Sequence, residues 1–309
     1  AGAAFALAAL MNAALGLSGA GATNSGDAVR SAIARCPGAA ETLLSLLDGG
    51  KAKVHSTVRT RAAGLLGRIA TAPEASAALK TPGALQVLSA AIAANHELLA
   101  SEPAGAAHRA GAKRGAPEAE AWVLEEREHL VRVAACALTT GHAAAAATGK
   151  ATGKGKGPSS SPGVKEEGAP FLLQPAQVVA KLHASNALAL LTSWLPEAVK
   201  DTRQGTGLVT AASVVMHPPK EARVGPKLSG NVVKCLVAVM EDPASAAAKR
   251  LFKMGLCERL VALLANSQDL AVRRNVAVCL AKAVRDPAAN QRVRELRGIE
   301  MLVQLGPQL

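Results

Sequence analysis

Tyrosine is absent from this chain of 309 residues, and three Phe and two Trp bring the aromatic share to only 2%. Proteins that grip single-stranded nucleic acid stack its bases on aromatic rings, so this composition argues against that mode of binding. Cysteine is sparse too: five residues, an odd number, with no C-x-x-C spacing. Neither that spacing nor a nearby His supports a zinc site. Reduced thiols buried as small core residues, in the cytoplasm or another intracellular compartment, fit better than a disulfide framework. No charge appears before Asp27, but no basic stretch precedes the apolar start, and the start is too rich in alanine for a membrane span. Catalytic motifs are missing as well. Gly153-Lys154 lacks the earlier Gly and the following Ser or Thr of a phosphate loop, and His96-Glu97 has no second His four residues on. The stretch Gly16 to Gly21 has glycines but no strand before it. No enzyme activity, metal or cofactor is expected.

What the chain does have is alanine and leucine. Half its residues are apolar, and the two commonest are strong helix formers. The expected fold class is all-α. The net charge is +12 with a pI near 9.8, which points to an acidic partner. Part of that charge, at Lys150, Lys154 and Lys156, falls in a Gly/Ser/Pro-rich stretch rather than in a helix.

One pattern organises the rest. Asn231-Val-Val-Lys-Cys235-Leu ends in Asp242-Pro243, and Asn275-Val-Ala-Val-Cys279-Leu ends in Asp286-Pro287 (275 − 231 = 44). A fixed period in this range means stacked helical units, each too small to bury its apolar face alone. The last full unit reads Gly255, apolar helix, polar turn at Asn266 to Asp269, apolar helix from Leu270 to Val284, Asp286-Pro287, short helix, then Gly298. Earlier starts fall at Pro37-Gly38 and Pro82-Gly83, and further apolar helices are expected over Val58 to Ala70, Glu128 to Thr140 and Val178 to Leu195. The expected division is repeats over 1–100, a disordered insert over 101–120, a repeat helix over 121–140, a disordered insert over 141–170 and repeats over 171–309. A shorter Pro/Gly segment, His217 to Gly230, is also expected to loop out.

This cycle resembles the armadillo repeat family, with HEAT repeats the close alternative. The resemblance implies a right-handed α-solenoid of about six partly degenerate repeats. The run Ala3 to Leu10 then matches the family's third-helix string, so the start is expected to lie within a cut repeat of a longer protein. In the peptide-binding branch a Trp ladder and an Asn ladder line the groove. The Trp position falls on Phe5, Gly64, Cys136, Ala189, Lys234 and Val278, and the Asn position on Ala9, Arg68, Thr140, Ser193, Ala238 and Lys282. Neither ladder survives, which argues against nuclear-localisation-signal recognition of the importin-α kind. The closing string Arg292-Val-Arg-Glu-Leu-Arg-Gly298-Ile-Glu-Met-Leu302 resembles the end of proteins that join tetratricopeptide and armadillo repeats, among them ciliary dynein-assembly factors and UNC-45-type myosin co-chaperones.

Basic residues stand where the ladders are missing. Arg61, Arg68, Lys234, Arg273, Arg274 and Lys282 are the candidate partner-binding groove, suited to carboxylates of an acidic segment or tail through charge-assisted bonds. The expected function is a protein-interaction scaffold or co-chaperone within a larger assembly, in the cytoplasm or the cilium. A protein is the expected partner, with no membrane; nucleic-acid binding through the basic surface is the alternative.

Overall fold

The computed structural model describes residues 2–15, 25–48, 54–100, 116–139, 172–200, 214–217 and 225–306. Its helices are α1 (Gly2–Leu15), α2 (Ser25–Arg35), α3 (Ala39–Leu47), α4 (Ser56–Ile69), α5 (Pro73–Leu79), α6 (Pro82–Ala100), α7 (Ala116–Thr139), α8 (Pro175–Ala184), α9 (Ala187–Ser193), α10 (Pro226–Val239), α11 (Ala246–Lys253), α12 (Leu256–Asn266), α13 (Leu270–Ala283), α14 (Pro287–Glu295) and α15 (Gly298–Leu305). Residues Glu197–Lys200 (β1) and Val214–His217 (β2) pair as an antiparallel ribbon, Glu197 opposite His217. That ribbon is the one departure from an all-helical chain among the described residues.

Helix ends follow from local chemistry. Asp269 caps α13 by accepting from the Ala271 and Val272 amides, and Asp286 caps α14 through Ala288 and Ala289. Pro287 then occupies the first turn, where its missing amide costs nothing. Ser245 caps α11 through the Ala248 amide. The Gln177 side chain accepts from the Gln174 amide at the head of α8. Left-handed residues mark four corners: Gly38 before α3, Asn186 before α9, Gly255 before α12 and Arg297 before α15, with φ of 75, 63, 77 and 56°. Gly255 bears that conformation without a Cβ clash, and Asn is the next most tolerant residue. At the last corner the glycine stands one residue beyond the turn. Gly298 is required for space, because a Cβ there would lie 2.8 Å from Val293 Cγ1 and 2.9 Å from Val261 Cγ2.

The helices recur in threes. Every third helix packs on the next of its kind: α1 on α4, α4 on α7, α7 on α10 and α10 on α13. A second row runs from α3 to α6 to α9, and α12 meets α15. The ribbon packs against α12. One continuous apolar core runs beneath, built from Leu65, Leu66 and Ile69 of α4, Leu130 and Leu138 of α7, and Val232 and Leu236 of α10, all at most 1% exposed. Each such side chain contributes about 1.5–3 kcal/mol by leaving water. Small residues let the backbones approach: Ala62 and Ala63 on α4 and Ala134 on α7 are fully buried.

A buried polar network ties the first rows together. The Arg59 guanidinium donates to Glu126 Oε1 at 2.7 and 3.0 Å. Asn95 donates to the Val123 carbonyl and accepts from Arg127. The Arg127 guanidinium lies 4.4 Å over the Trp194 ring, whose Nε1–H donates to His96. The network therefore joins α4, α6, α7 and the turn after α9.

The structure corrects one helix assignment. Val178 to Leu195 is not a single third helix. It breaks at Asn186 into α8 and α9, and α9 packs with α6 and α8, outside the α1–α4–α7–α10–α13 row. Ala189 and Ser193 accordingly leave the ladder positions, and the row has five members among the described residues. Helix α7 begins at Ala116, inside the 101–120 stretch, and α10 begins at Pro226, inside the 217–230 segment. The expected insert at 141–170, with its lysines and its Ser-Pro run, lies outside the described residues, as do Thr140 and the Gly16 to Gly21 stretch.

Candidate functional site

Helix α4 is buried on most of its surface, and its partly open positions include Arg61 and Arg68, seven residues apart and so on one face. Helix α7 answers with Trp122, Glu125, His129, Arg132 and Cys136, spaced three and four residues apart along one stripe. The two stripes touch at glycines. The His129 imidazole covers Gly64, its Nε2 being 3.0 Å from where a Cβ would stand, and the Arg132 stem covers Gly67 at 3.4 Å. Glycine at the expected Trp position thus leaves room for the His129 ring of α7 to approach α4 closely.

Charges gather at this seam. The Arg61 guanidinium carbon lies 5.8 Å from the centre of the Trp122 ring. Glu125 Oε1 lies 3.5 Å from His129 Nε2. His129, with Arg61 and Arg68 behind it, holds the Glu125 carboxyl below its ordinary range. Arg68 is shifted down, first by burial and then by repulsion from Arg132 and Arg30. Two buried guanidinium nitrogens of this seam, Arg61 Nε and Arg68 Nε, have no hydrogen-bond partner. An unpaired buried donor costs about 1–3 kcal/mol, so the seam is polar beyond what its own contacts satisfy.

The row continues on α10 and α13. Lys234 is exposed and acts with Arg132 on the half-buried Cys136 thiol, which burial pushes up. Arg274 is exposed between Leu270 and Val278, which are 42% and 47% exposed, at helical spacing. At the other end, Phe5 of α1 stands 77% exposed.

Four of the six sequence candidates therefore belong to the open face of the row: Arg61, Arg68, Lys234 and Arg274. Arg61 lies over Trp122 and Arg274 has a partner within the chain, and the other two are engaged as well. Arg273 is half-buried and donates from Nε to the Ser267 carbonyl at 2.6 Å, bracing its own capping turn. Lys282 forms an ion pair with Glu241 at the end of α10. Sequence reasoning missed Arg132, His129, Glu125 and Trp122; the 3–4 spacing along α7 was the available signal. Among the described residues no group of three or more His, Cys, Asp or Glu side chains could hold a metal ion. No single described helix is long and apolar enough to cross a membrane, although α5 and α6 together pass that test as a bent pair. No protein-family model matches the chain, and neither the curated proteins nor the solved structures contain a similar one.

Proposed function

We propose that the chain is an armadillo-like repeat scaffold that holds an extended, acidic protein segment across the face of α1, α4, α7, α10 and α13. The observation that carries this reading is the basic stripe, with Arg61 and Arg68, Arg132, Lys234 and Arg274 on successive members of that row. The recurrence in threes supports a right-handed superhelix as the frame. Packed helices lie about 8–10 Å apart, and an extended chain advances about 3.3 Å per residue. An acidic side chain at every third position would therefore meet a cation on each of α4, α7, α10 and α13. The exposed Phe5 and Val278 add apolar contact at the two ends of the row. Within this class, the likeness of the closing string to tetratricopeptide–armadillo proteins favours a co-chaperone or axonemal scaffold.

The test is fluorescence anisotropy with an extended peptide of repeating Glu-x-x. The double variant Lys234→Glu with Arg274→Glu should weaken binding about tenfold or more, since each reversal replaces a charge-assisted contact by repulsion. Unchanged affinity, with the helical circular dichroism intact, overturns the reading. Tighter binding of arbitrary duplex DNA, falling steeply between about 50 and 200 mM salt, would replace it with nucleic-acid binding.

A further inference from the structure

A cleft of about 350 Å³ opens where α8 meets the end of α7, the end of α10 and the start of α11, and none of the stripe's cations lines it. Its floor is formed by Leu138, Val239 and Ala247, all at most 4% exposed. One wall is a face of α8, with Val179, Ala180 and His183 at helical spacing. The alanine is too short to reach across, so the helices meet around a gap. Packed interiors close gaps of this size, whereas an apolar opening of about 300 Å³ or more with a few polar groups at its edge is the usual form of a small-molecule site.

The sign of the edge is set by side chains. Helices α7 and α10 end at the cleft and α8 and α11 begin there, so their dipoles oppose one another. Glu241 and Asp242 stand on the rim, and no Lys or Arg does. Lys282 neutralises Glu241. Asp242 remains: its Oδ1 accepts from the Ala244 amide at 3.2 Å, and the residue is exposed, with no ion-pair partner among the described residues. The rim therefore keeps one uncompensated negative charge on a chain whose net charge is +12.

We propose that this cleft binds a small cationic amphiphile, an alkylamine whose chain covers the apolar floor and whose ammonium group pairs with Asp242. An ammonium group brings three donors and no acceptor, which suits a rim whose free charge is a carboxylate. An alcohol of the same length gains the same burial without the charge, and a fatty acid sets like charge against Asp242. A surface ion pair contributes less than burial of several methylenes, so the chain sets the affinity and the head group sets the choice. Loss of this site leaves the acidic-segment groove standing, since the two share no residue.

The experiment is a saturation-transfer NMR titration of the full chain at about pH 8, where an ordinary imidazole is neutral. The probes are butylamine, hexylamine, hexan-1-ol and hexanoate. Affinity should rise about threefold for each CH2 added from butylamine to hexylamine. Hexylamine should bind about threefold tighter than hexanol and about tenfold tighter than hexanoate. Asp242→Asn keeps an oxygen to accept from the Ala244 amide and should bring the three six-carbon probes within about twofold of one another. Ala180→Leu fills the cleft with a good helix former and should weaken hexylamine about tenfold or more. Far-UV circular dichroism and the melting temperature of both variants establish that they fold. Hexylamine binding that survives Ala180→Leu lies elsewhere on the chain and overturns the site. Equal affinity for hexylamine and hexanoate, or a preference that survives Asp242→Asn, overturns the cationic assignment. No transfer to any probe at about 10 mM, ten times a millimolar dissociation constant, overturns the proposal as a whole.

Discussion

Replacing Arg59 by Met should destabilise the protein in a strongly pH-dependent way. Glu126 is 1% exposed, and Arg59 is its ion-pair partner at 2.7 Å. Burial pushes the Glu126 carboxyl up, and Arg59 is the main force opposing that rise. Without Arg59 the chain must either keep an unpaired buried carboxylate, at about 3–5 kcal/mol, or protonate it. Protonation caps the cost. With an unfolded carboxyl near pH 4.3, holding it neutral at pH 7 costs about 3.7 kcal/mol, and at pH 5 about 1 kcal/mol. The sign follows from linkage: a folded-state value above the unfolded one gives stability that is present at low pH and lost as pH rises. Urea denaturation followed by far-UV circular dichroism should therefore show a loss of about 3–4 kcal/mol at pH 7 and about 1 kcal/mol at pH 5. Changing both partners, Arg59→Met with Glu126→Met, removes the buried charge and should recover all but about 1 kcal/mol of the loss at pH 7. A single-variant loss below about 1 kcal/mol at pH 7, or an equal loss at both pH values, would refute the claim that this pair neutralises a buried charge.

Two further outcomes follow from the packing. Gly64→Ala gains about 1 kcal/mol of helix propensity, but its Cβ would meet Met11 Cε at 2.7 Å and His129 Nε2 at 3.0 Å. The Met tip can move, so thermal melting should show a net loss of only about 1 kcal/mol. Gly298→Ala meets the branched Val293 and Val261 and the Val293 carbonyl at 3.2 Å, and should lose about 2–3 kcal/mol. Burial pushes the Cys257 thiol up to about 12 and the Cys235 and Cys279 thiols well above the ordinary range. Titration of the native protein with a chromogenic disulfide should find Cys36, which is exposed, reacting first, with those three reacting only on unfolding.

The repeat, the helix caps and the corner glycines were legible in the sequence because they are local. Asp269 and Asp286 cap the helices they precede, and Gly38 and Gly255 take the left-handed turn. The break at Asn186 was not legible, because apolar residues run through both sides of it and a left-handed Asn leaves little trace in the pattern. The basic face was half legible. Arg61, Arg68, Lys234 and Arg274 lie on the row, and Lys282 is engaged by Glu241, a residue 41 positions away. Such pairings depend on how one helix row lies on the next. The same is true of Arg132 and His129, whose part in the site arises from the close approach of α7 to Gly64 and Gly67.

The central claim is that a bound segment lies on the row formed by α1, α4, α7, α10 and α13. Hydrogen–deuterium exchange with and without the Glu-x-x peptide tests it directly. The account predicts slowed exchange in peptides covering residues 56–69, 116–139, 226–239 and 270–283, with little change in α3, α6 and α12. Protection confined to α3, α6 and α12, or no protection at a saturating peptide concentration, would contradict it.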